Sequence, residues 1–235
     1  MAWYSRLLAG QERFIGELSS SQQRLLADWN ELPPADLKRS HYRSRYVVVD
    51  VETTAVNAKA DRLVSIGALA VVDGLIDFKD AFYVSLANDR VNAAASPFFV
   101  DRPEASLAPA DAMLAFLRFS GKSPWVAYHA LFAGKIVAGT MAKDLGIELR
   151  QPWIDLAWVM SDLFRDISDD AQWCLDAWLD HFAIESIQRH HVVSDAFVTA
   201  KLLQITIARA TRKGFETPNS FLELAKARRH MHQSG

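Results

Sequence analysis

The chain has 235 residues, of which half are hydrophobic and 11% are aromatic, so it can bury a full core. This length and composition predict one domain with a small appendage. A formal net charge of −2 excludes a protein-wide electrostatic attraction for nucleic acid, so any such binding must use local patches. The single cysteine, Cys174, excludes an intramolecular disulfide, and no signal-peptide or membrane-spanning pattern is evident, so we expect a cytoplasmic protein.

The first 32 residues carry apolar side chains at helical spacing on both sides of a serine capping signal at 19–21, and a proline pair at 33–34 ends the pattern. This pattern predicts an N-terminal helical hairpin. Its aromatic side chains, Trp29 among them, are too large to leave in water, so we expect the hairpin to pack on the rest of the chain. A docking element for a protein partner is the alternative for part of this surface.

A basic cluster occupies the linker after the hairpin. Contact with a phosphate backbone is one interpretation, and a solvated linker segment is the commoner one, so both stay open. The cluster consists of Lys38, Arg39, His41, Arg43 and Arg45.

Residues 46–51 are an almost continuous run of apolar, mostly β-branched side chains, which predicts a strand buried on both faces. Asp50 and Glu52 stand two apart at its end, and because side chains alternate across a strand, both carboxylates project from the same face. Because the two negative charges are close, each carboxylate raises the free energy of the other's ionised form. A hard cation such as Mg²⁺ or Mn²⁺ relieves this repulsion. Two solvated acids at the start of a loop are the alternative.

The following segments predict a mixed sheet flanked by helices. Strand-like patterns at 63–72 and 75–86 are joined by Asp73-Gly74, which favours a two-residue hairpin turn. Further along, β-α units are predicted, and after them only helices. The segments are an aperiodic stretch at 88–107, a helix from 109 to 121, a strand at 125–128, and helices at 132–145, 156–164, 172–182, 194–212 and 220–232.

His190 and Asp195 lie at the start of the helix predicted at 194–212. Because His190 precedes this helix and Asp195 lies in its first turn, the two can meet near the positive end of the helix dipole. A purely structural hydrogen bond is the alternative. Together with Asp50 and Glu52 they supply three hard oxygen ligands and a general base, which is the equipment for metal-assisted hydrolysis of a phosphodiester.

From about Arg45 to Arg212 the sequence resembles the DEDDh family of 3'-5' exonucleases, in the ribonuclease H-like superfamily, typified by the proofreading epsilon subunit of bacterial replicative polymerases. The first motif of that family matches residues 49–54, and its third motif matches His190 through Asp195. Supporting similarities are Ile154-Asp155, similar to a strand-ending pair of the family, and residues 175–178, similar to its L-D-x-L helix.

The resemblance implies an α/β fold, with an antiparallel hairpin and parallel strands in one sheet flanked by helices. It divides the chain into a helical extension and linker at 1–44, an exonuclease domain at 45–214 and a C-terminal helix at 215–235. It also implies a metal-dependent 3'-5' exonuclease that uses two Mg²⁺ or Mn²⁺ ions and releases 5'-mononucleotides from the single-stranded 3' end of a nucleic acid.

The resemblance also implies roles for individual residues. Asp50, Glu52 and Asp195 would hold the metal ions, and His190 would take the proton from the attacking water. Contacts to the substrate would come from Thr53, Thr54, Val56, His129 and Phe132.

The second motif departs from the family pattern. Its H-A-x-F-D form aligns with residues 129–133, so Ala133 stands where an aspartate is expected, and Ala55 replaces a common glycine. One acidic ligand is therefore missing, which implies that binding survives better than turnover. An aspartate at position 133 would cost little stability provided that the position faces a solvated cleft. A weak or inactive nucleic-acid-binding module on the same fold is the alternative, against which the retained His190 argues.

Overall fold

The computed structural model describes residues 17–54, 62–86, 106–167, 174–187 and 191–234. The strands are β1 (Arg45–Thr53), β2 (Leu63–Val72), β3 (Leu75–Leu86), β4 (Ser106–Leu107), β5 (Trp125–Ala127) and β6 (Trp153–Asp155). The helices are α1 (Ser20–Glu31), α2 (Pro109–Ser120), α3 (Ala130–Leu145), α4 (Leu156–Leu163), α5 (Leu175–His181), α6 (Val192–Arg212) and α7 (Pro218–Ser234). None of the described helices is both long enough and apolar enough to cross a membrane.

The six strands form one mixed sheet in the order β4-β3-β2-β1-β5-β6. β1, β2 and β3 pair antiparallel, whereas β5 runs parallel to β1, and β6 runs parallel to β5. At the predicted turn between β2 and β3, Asp73 and Gly74 both have positive φ, at 52° and 83°, as a hairpin turn of the I′ type requires. The mixed sheet expected from the sequence, with an antiparallel hairpin and parallel strands flanked by helices, is thereby confirmed.

β1 separates two layers of core. Tyr46 and Val48 pack with α4 and α6 on one face, whereas Val47 and Val49 pack with α2 and α3 on the other. All four side chains are almost completely buried, as the run of β-branched residues predicted.

The helix α1 packs on α2, so the described part of the predicted hairpin does lie against the core. The indole Nε1 of Trp29 donates to the carbonyl oxygen of Gly121 at 2.9 Å, and the Nζ of Lys122 lies 3.0 Å from the centre of the same indole ring system. Such a cation over an aromatic face stabilises the position of the ring, in addition to the effect of its burial. The first 16 residues of the hairpin lie outside the described residues.

The linker before β1 and the C-terminal part of the chain meet at His41. Its Nε2 donates to the carbonyl oxygen of Phe215 at 3.1 Å, which leaves Nδ1 to accept from the hydroxyl of Tyr46. The ring of Phe221, from α7, lies 4.3 Å away, centre to centre. The linker and the C-terminal helix therefore belong to the same core, although the domain boundaries themselves stay a prediction.

Two members of the basic cluster are used inside the fold. His41 is completely buried, and Arg45 makes an ion pair with Asp80 at 2.7 Å. For His41 the interpretation as a phosphate contact is wrong, because a linker pattern does not show which side chains turn inward. For Arg45, whose side chain is 27% exposed, both interpretations stay open.

We expect His41 to make the stability of the protein depend on pH. Burial lowers the pKa of His41 from its ordinary 6.5 to about 4, and the hydrogen bond to Phe215 opposes this only in part. Between these values the unfolded chain binds a proton that the folded protein does not, so stability is complete above pH 6.5 and falls as the pH drops toward 4. The loss amounts to about 3 kcal/mol at about 1.4 kcal/mol per unit of pKa.

Urea unfolding at several pH values between 7.5 and 4 measures this dependence. In His41→Gln the free energy of unfolding should fall less steeply with pH than in the wild type. His181→Gln, which replaces an exposed histidine, is the control and should keep the wild-type slope. Equal slopes for all three proteins would contradict the assignment.

Candidate active site

Asp50 and Glu52 project from β1 toward α6. Val48 packs on the α6 side and Val49 on the opposite side, so the alternation along the strand places both carboxylates on the α6 side. The predicted common face of the two acids is thus consistent with the packing of their neighbours.

Ser65 holds the carboxylate of Glu52. The two residues face each other across β1 and β2, and the Ser65 hydroxyl donates to Glu52 Oε2 at 2.7 Å. Ser65 is only 1% exposed, and a buried hydroxyl that donates to a carboxylate stabilises the charged form and fixes its orientation. Sequence analysis missed Ser65, because its position opposite Glu52 depends on the register between two strands that are not joined by a tight turn.

The helix α6 begins on β2 and runs along it. At its start, a methyl group on Gly67 would lie only 2.6 Å from the carbonyl carbon of Val192, so helix and strand backbones are in direct contact. Further along, the side-chain amide of Gln204 donates to the carbonyl oxygen of Gly74 at 2.8 Å. Gly67 pairs with Asp50 in β1, so the helix begins beside the first predicted ligand.

Asp195 lies in the first turn of α6, as predicted, and is 8% exposed. Its backbone N–H donates to the carbonyl oxygen of His191 at 2.9 Å, which makes it part of the regular helix. Two residues on, the ring of Phe197 contacts Phe78 on β3, with 5.5 Å between ring centres. Because two residues turn an α-helix by about 200°, Asp195 lies on the face of the helix away from Phe197.

The donor set suits a hard divalent cation, since carboxylate oxygens are its preferred ligands and one of these carboxylates is buried. Within the described ranges, however, no group of three or more His, Cys, Asp or Glu side chains is placed to hold a metal ion. The meeting of Asp50, Glu52 and Asp195 at one point therefore stays a prediction. His190 lies outside the described residues, so its role as general base stays one too.

Ala133 does not face a solvated cleft. It lies in the first turn of α3, is 4% exposed, and packs with Ala127 and Ala130 against Val51 and Trp153. The condition under which an aspartate at this position would cost little stability is therefore not met. The reason is tertiary, since the side chain of Trp153, from β6, covers this turn. No acidic residue is present in the first turn of α3.

Two of the predicted substrate contacts, His129 and Phe132, lie at the start of α3, just after β5. His129 is exposed and has a left-handed backbone, with φ 61° and ψ 54°. Phe132 is half-buried and packs on the core below α3, whereas Leu131 is 67% exposed.

Thr53 and Thr54 follow the two acids at the end of β1. The N–H of Thr54 donates to the carbonyl oxygen of Arg62 at 3.1 Å, and the N–H of Arg62 donates to Thr54 Oγ1 at 3.2 Å. These bonds join the two ends of the segment that contains Ala55 and Val56, which lies outside the described residues. The contacts of Thr53, Thr54, Val56, His129 and Phe132 with a substrate stay predictions.

Asp155 ends β6 but is not a replacement for the missing acid. It pairs with Ala127, whose side chain lies on the α3 side of the sheet, away from the face of Asp50. Burial raises the pKa of the Asp155 carboxyl, whereas the charge of His129 and backbone N–H groups, including that of Leu131, lower it. These contacts tie the turn before α3 to β6.

We expect Ser65→Ala to weaken metal binding. A hydrogen bond to a charged group is worth roughly 1.5–3 kcal/mol, so Mn²⁺ affinity should fall about tenfold or more. Titration of Mn²⁺ followed by electron paramagnetic resonance measures this. Ser120→Ala is the matched control, because Ser120 is equally buried but donates to the carbonyl oxygen of Leu117. Equal Mn²⁺ affinities for the two variants would contradict the role of Ser65.

Comparison with known proteins points to one family. The family profile described as "Exonuclease" (RNase_T) matches residues 47–203, which is more than half of the chain. The PolC-type DNA polymerase III of Clostridium perfringens is 28% identical over 171 residues. That match covers 72% of this chain but only 12% of the polymerase, so the chain spans a small part of this relative's length.

Solved structures show the same fold. The zinc-bound complex of E. coli ExoI with single-stranded DNA superposes with a TM-score of 0.56 at 13% identity, over 72% of this chain and 42% of that one. The nuclease domain of 3'hExo, a DEDDh family member bound to rAMP, gives 0.54 at 12% identity, over 76% and 97% of the two chains. Because the profile matches more than half of the chain, the chain belongs to the exonuclease family that this profile describes.

Proposed function

We propose that the chain is a metal-dependent 3'-5' exonuclease that acts on single-stranded 3' ends and releases 5'-mononucleotides, with turnover reduced by Ala133. The observation that supports the proposal is the contact of the start of α6 with Gly67, the partner of Asp50 across β1 and β2, with Asp195 buried in the first turn of the same helix. Two structural relatives support the substrate class, since ExoI was solved with single-stranded DNA and 3'hExo with rAMP.

Each residue has a role in this proposal. Asp50, Glu52 and Asp195 bind the ions through their carboxylate oxygens, and Ser65 keeps the Glu52 carboxylate oriented. His190, just before α6, accepts a proton from the attacking water. The N-terminus of α6 carries a partial positive charge that favours a phosphate nearby. Two bound Mg²⁺ or Mn²⁺ ions would supply the activated water and the charge that stabilises the leaving oxygen.

A nucleic-acid-binding module with little or no turnover is the second candidate, and Ala133 is the observation that favours it. The first turn of α3 offers no carboxylate, and the position of the expected aspartate is packed with apolar side chains. Under both proposals the hydrogen bond from Ser65 to Glu52, beside Asp50, is kept. We therefore expect the chain to bind nucleic acid in both cases.

The test of the proposed activity is a turnover assay with a 5'-labelled single-stranded oligonucleotide and Mn²⁺, beside a binding assay in Ca²⁺. We expect slow, stepwise shortening from the 3' end, release of 5'-mononucleotides, and no shortening by Asp195→Asn. Binding without any shortening, in both the wild type and Ala133→Asp, would reject the exonuclease and favour the binding module.

We expect Ala133→Asp to raise turnover although it lowers stability. A charge introduced among Val51, Trp153 and the neighbouring alanines is costly until an ion neutralises it, so the melting temperature should fall and recover in part when Mn²⁺ is added. Because a stabilised leaving oxygen is worth several kcal/mol, turnover per folded molecule should rise about 100-fold or more.

Ala130→Asp is the matched control for this substitution. Ala130 lies in the same cluster and is equally buried, but it does not stand at the position of the expected aspartate. It should lose stability without gaining turnover. Ala133→Asn adds a side chain of similar size without the charge and should not gain turnover either. A similar turnover in Ala133→Asp and Ala130→Asp would show that the missing ligand is not what limits the enzyme.

A further inference from the structure

We propose that Gly67, Tyr83 and His191 together fix the position at which α6 begins, and so set where Asp195 stands relative to Asp50. We call these three residues the α6 anchor. The inference rests on the proposed function in one respect, because the positioning matters only if Asp195 and Asp50 serve the same ion. None of the three is proposed to touch substrate or metal, so they are positioning residues.

Gly67 is required by close approach and not by backbone conformation, since its φ is not among the positive values. A methyl group at this position would lie 2.6 Å from the carbonyl carbon of Val192, 2.8 Å from its oxygen and 2.7 Å from the nitrogen of Val193. All three atoms belong to the backbone of α6, which cannot rotate away as a side chain can. Any residue larger than glycine must therefore move the helix or the strand.

His191 fixes the start of α6 at a second point, on β3. It is the residue immediately before the helix, is 4% exposed, and stacks on Tyr83 with ring centres 5.8 Å apart and an angle of 21° between the ring planes. Among the described residues neither ring nitrogen of His191 has a hydrogen-bond partner. Among the contacts that the structure describes, ring packing on Tyr83 therefore holds the His191 side chain in place, and a directional polar contact does not.

The anchor and the first predicted ligand lie in one row across the sheet. Gly67 pairs with Asp50 on β1 and with Tyr83 on β3, so the three residues are lateral neighbours on adjacent strands. His191 lies over one end of this row and the backbone after it lies over the middle, while Asp50 is at the other end. The start of α6 is therefore fixed at two points relative to Asp50, one turn before Asp195.

A shift of α6 is expected to damage metal binding and catalysis far more than folding. Relieving a contact of 2.6 Å to an ordinary van der Waals distance requires a movement of about 1 Å. Metal–ligand distances tolerate only about 0.2 Å, and a misplacement of about 1 Å costs about 100-fold in rate. The same movement would displace His190, which directly precedes His191.

The first experiment compares Gly67→Ala with Gly139→Ala. Gly139 lies in α3, and a methyl group there would have no atom within 4 Å, so it controls for the substitution itself. We expect Gly67→Ala to bind Mn²⁺ at least tenfold more weakly in an electron paramagnetic resonance titration and to lose about 100-fold in kcat, with little change in KM for the oligonucleotide. Gly139→Ala should match the wild type. Wild-type Mn²⁺ affinity in a folded Gly67→Ala would overturn the proposal.

The second experiment uses His191→Phe and His191→Ala, so that the proposal stays testable if Gly67→Ala does not fold. Phenylalanine keeps a ring on Tyr83 and removes both nitrogens, and alanine removes the ring. We expect His191→Phe to retain Mn²⁺ affinity and kcat within about threefold, with an unchanged pH profile, whereas His191→Ala should lose about tenfold or more in both. Equal losses in the two variants would overturn the role of stacking.

The Mn²⁺ titration separates failure of this inference from failure of the proposed function. If the wild type binds Mn²⁺ and Gly67→Ala binds it more weakly, the anchor is supported even when no oligonucleotide is cleaved. If the wild type cleaves and Gly67→Ala is unaffected, the anchor fails and the exonuclease stands. A wild type that binds no Mn²⁺ at all would overturn both.

Discussion

The burial of β1 on both faces is the constraint on which the site depends. From Tyr46 to Val49 every side chain is at most 1% exposed, so an unpaired charged group would be costly along this part of the strand. Only where β1 emerges from the core can it carry acids, and Asp50 and Glu52 occupy those positions. The same packing of helices on the sheet places α6 against β2, because β1 and β2 form one continuous apolar surface beneath this helix. The burial of β1 on both faces therefore determines both how the core packs and where along the strand the acids can stand.

The parts of the fold that local patterns determine were predictable from the sequence. The hairpin of β2 and β3 has the predicted bounds because β-branched runs and an Asp-Gly turn act over a few residues. Ser65 and Gly67 were missed because their roles arise from register and from packing between β2 and α6, which no local pattern contains. For Gly67, an isolated glycine within a strand pattern was the one available signal, since it often marks close approach of another backbone.

The burial of His41 and the burial of Ala133 have the same physical origin. Each residue is covered by a side chain from a distant part of the chain. Phe221 from α7 covers His41, and Trp153 from β6 covers the turn that contains Ala133. A motif fixes which residue types are near one another along the chain, whereas exposure is decided by elements that arrive from elsewhere.

The two sides of the candidate site are built differently. Beside β2, a buried serine donates to Glu52 and a glycine allows the backbone of α6 to touch the sheet, an arrangement with little value for packing alone. Beside α3, the matching position holds Ala133 in a small apolar cluster, and Asp155 serves the turn before the helix instead of the cleft. Selection for folding alone would not require a partly buried, oriented carboxylate at Glu52, because burying charge is costly. The polar contacts beside β2 suit the proposed metal site, whereas the apolar cluster around Ala133 is the basis for the reduced turnover proposed above.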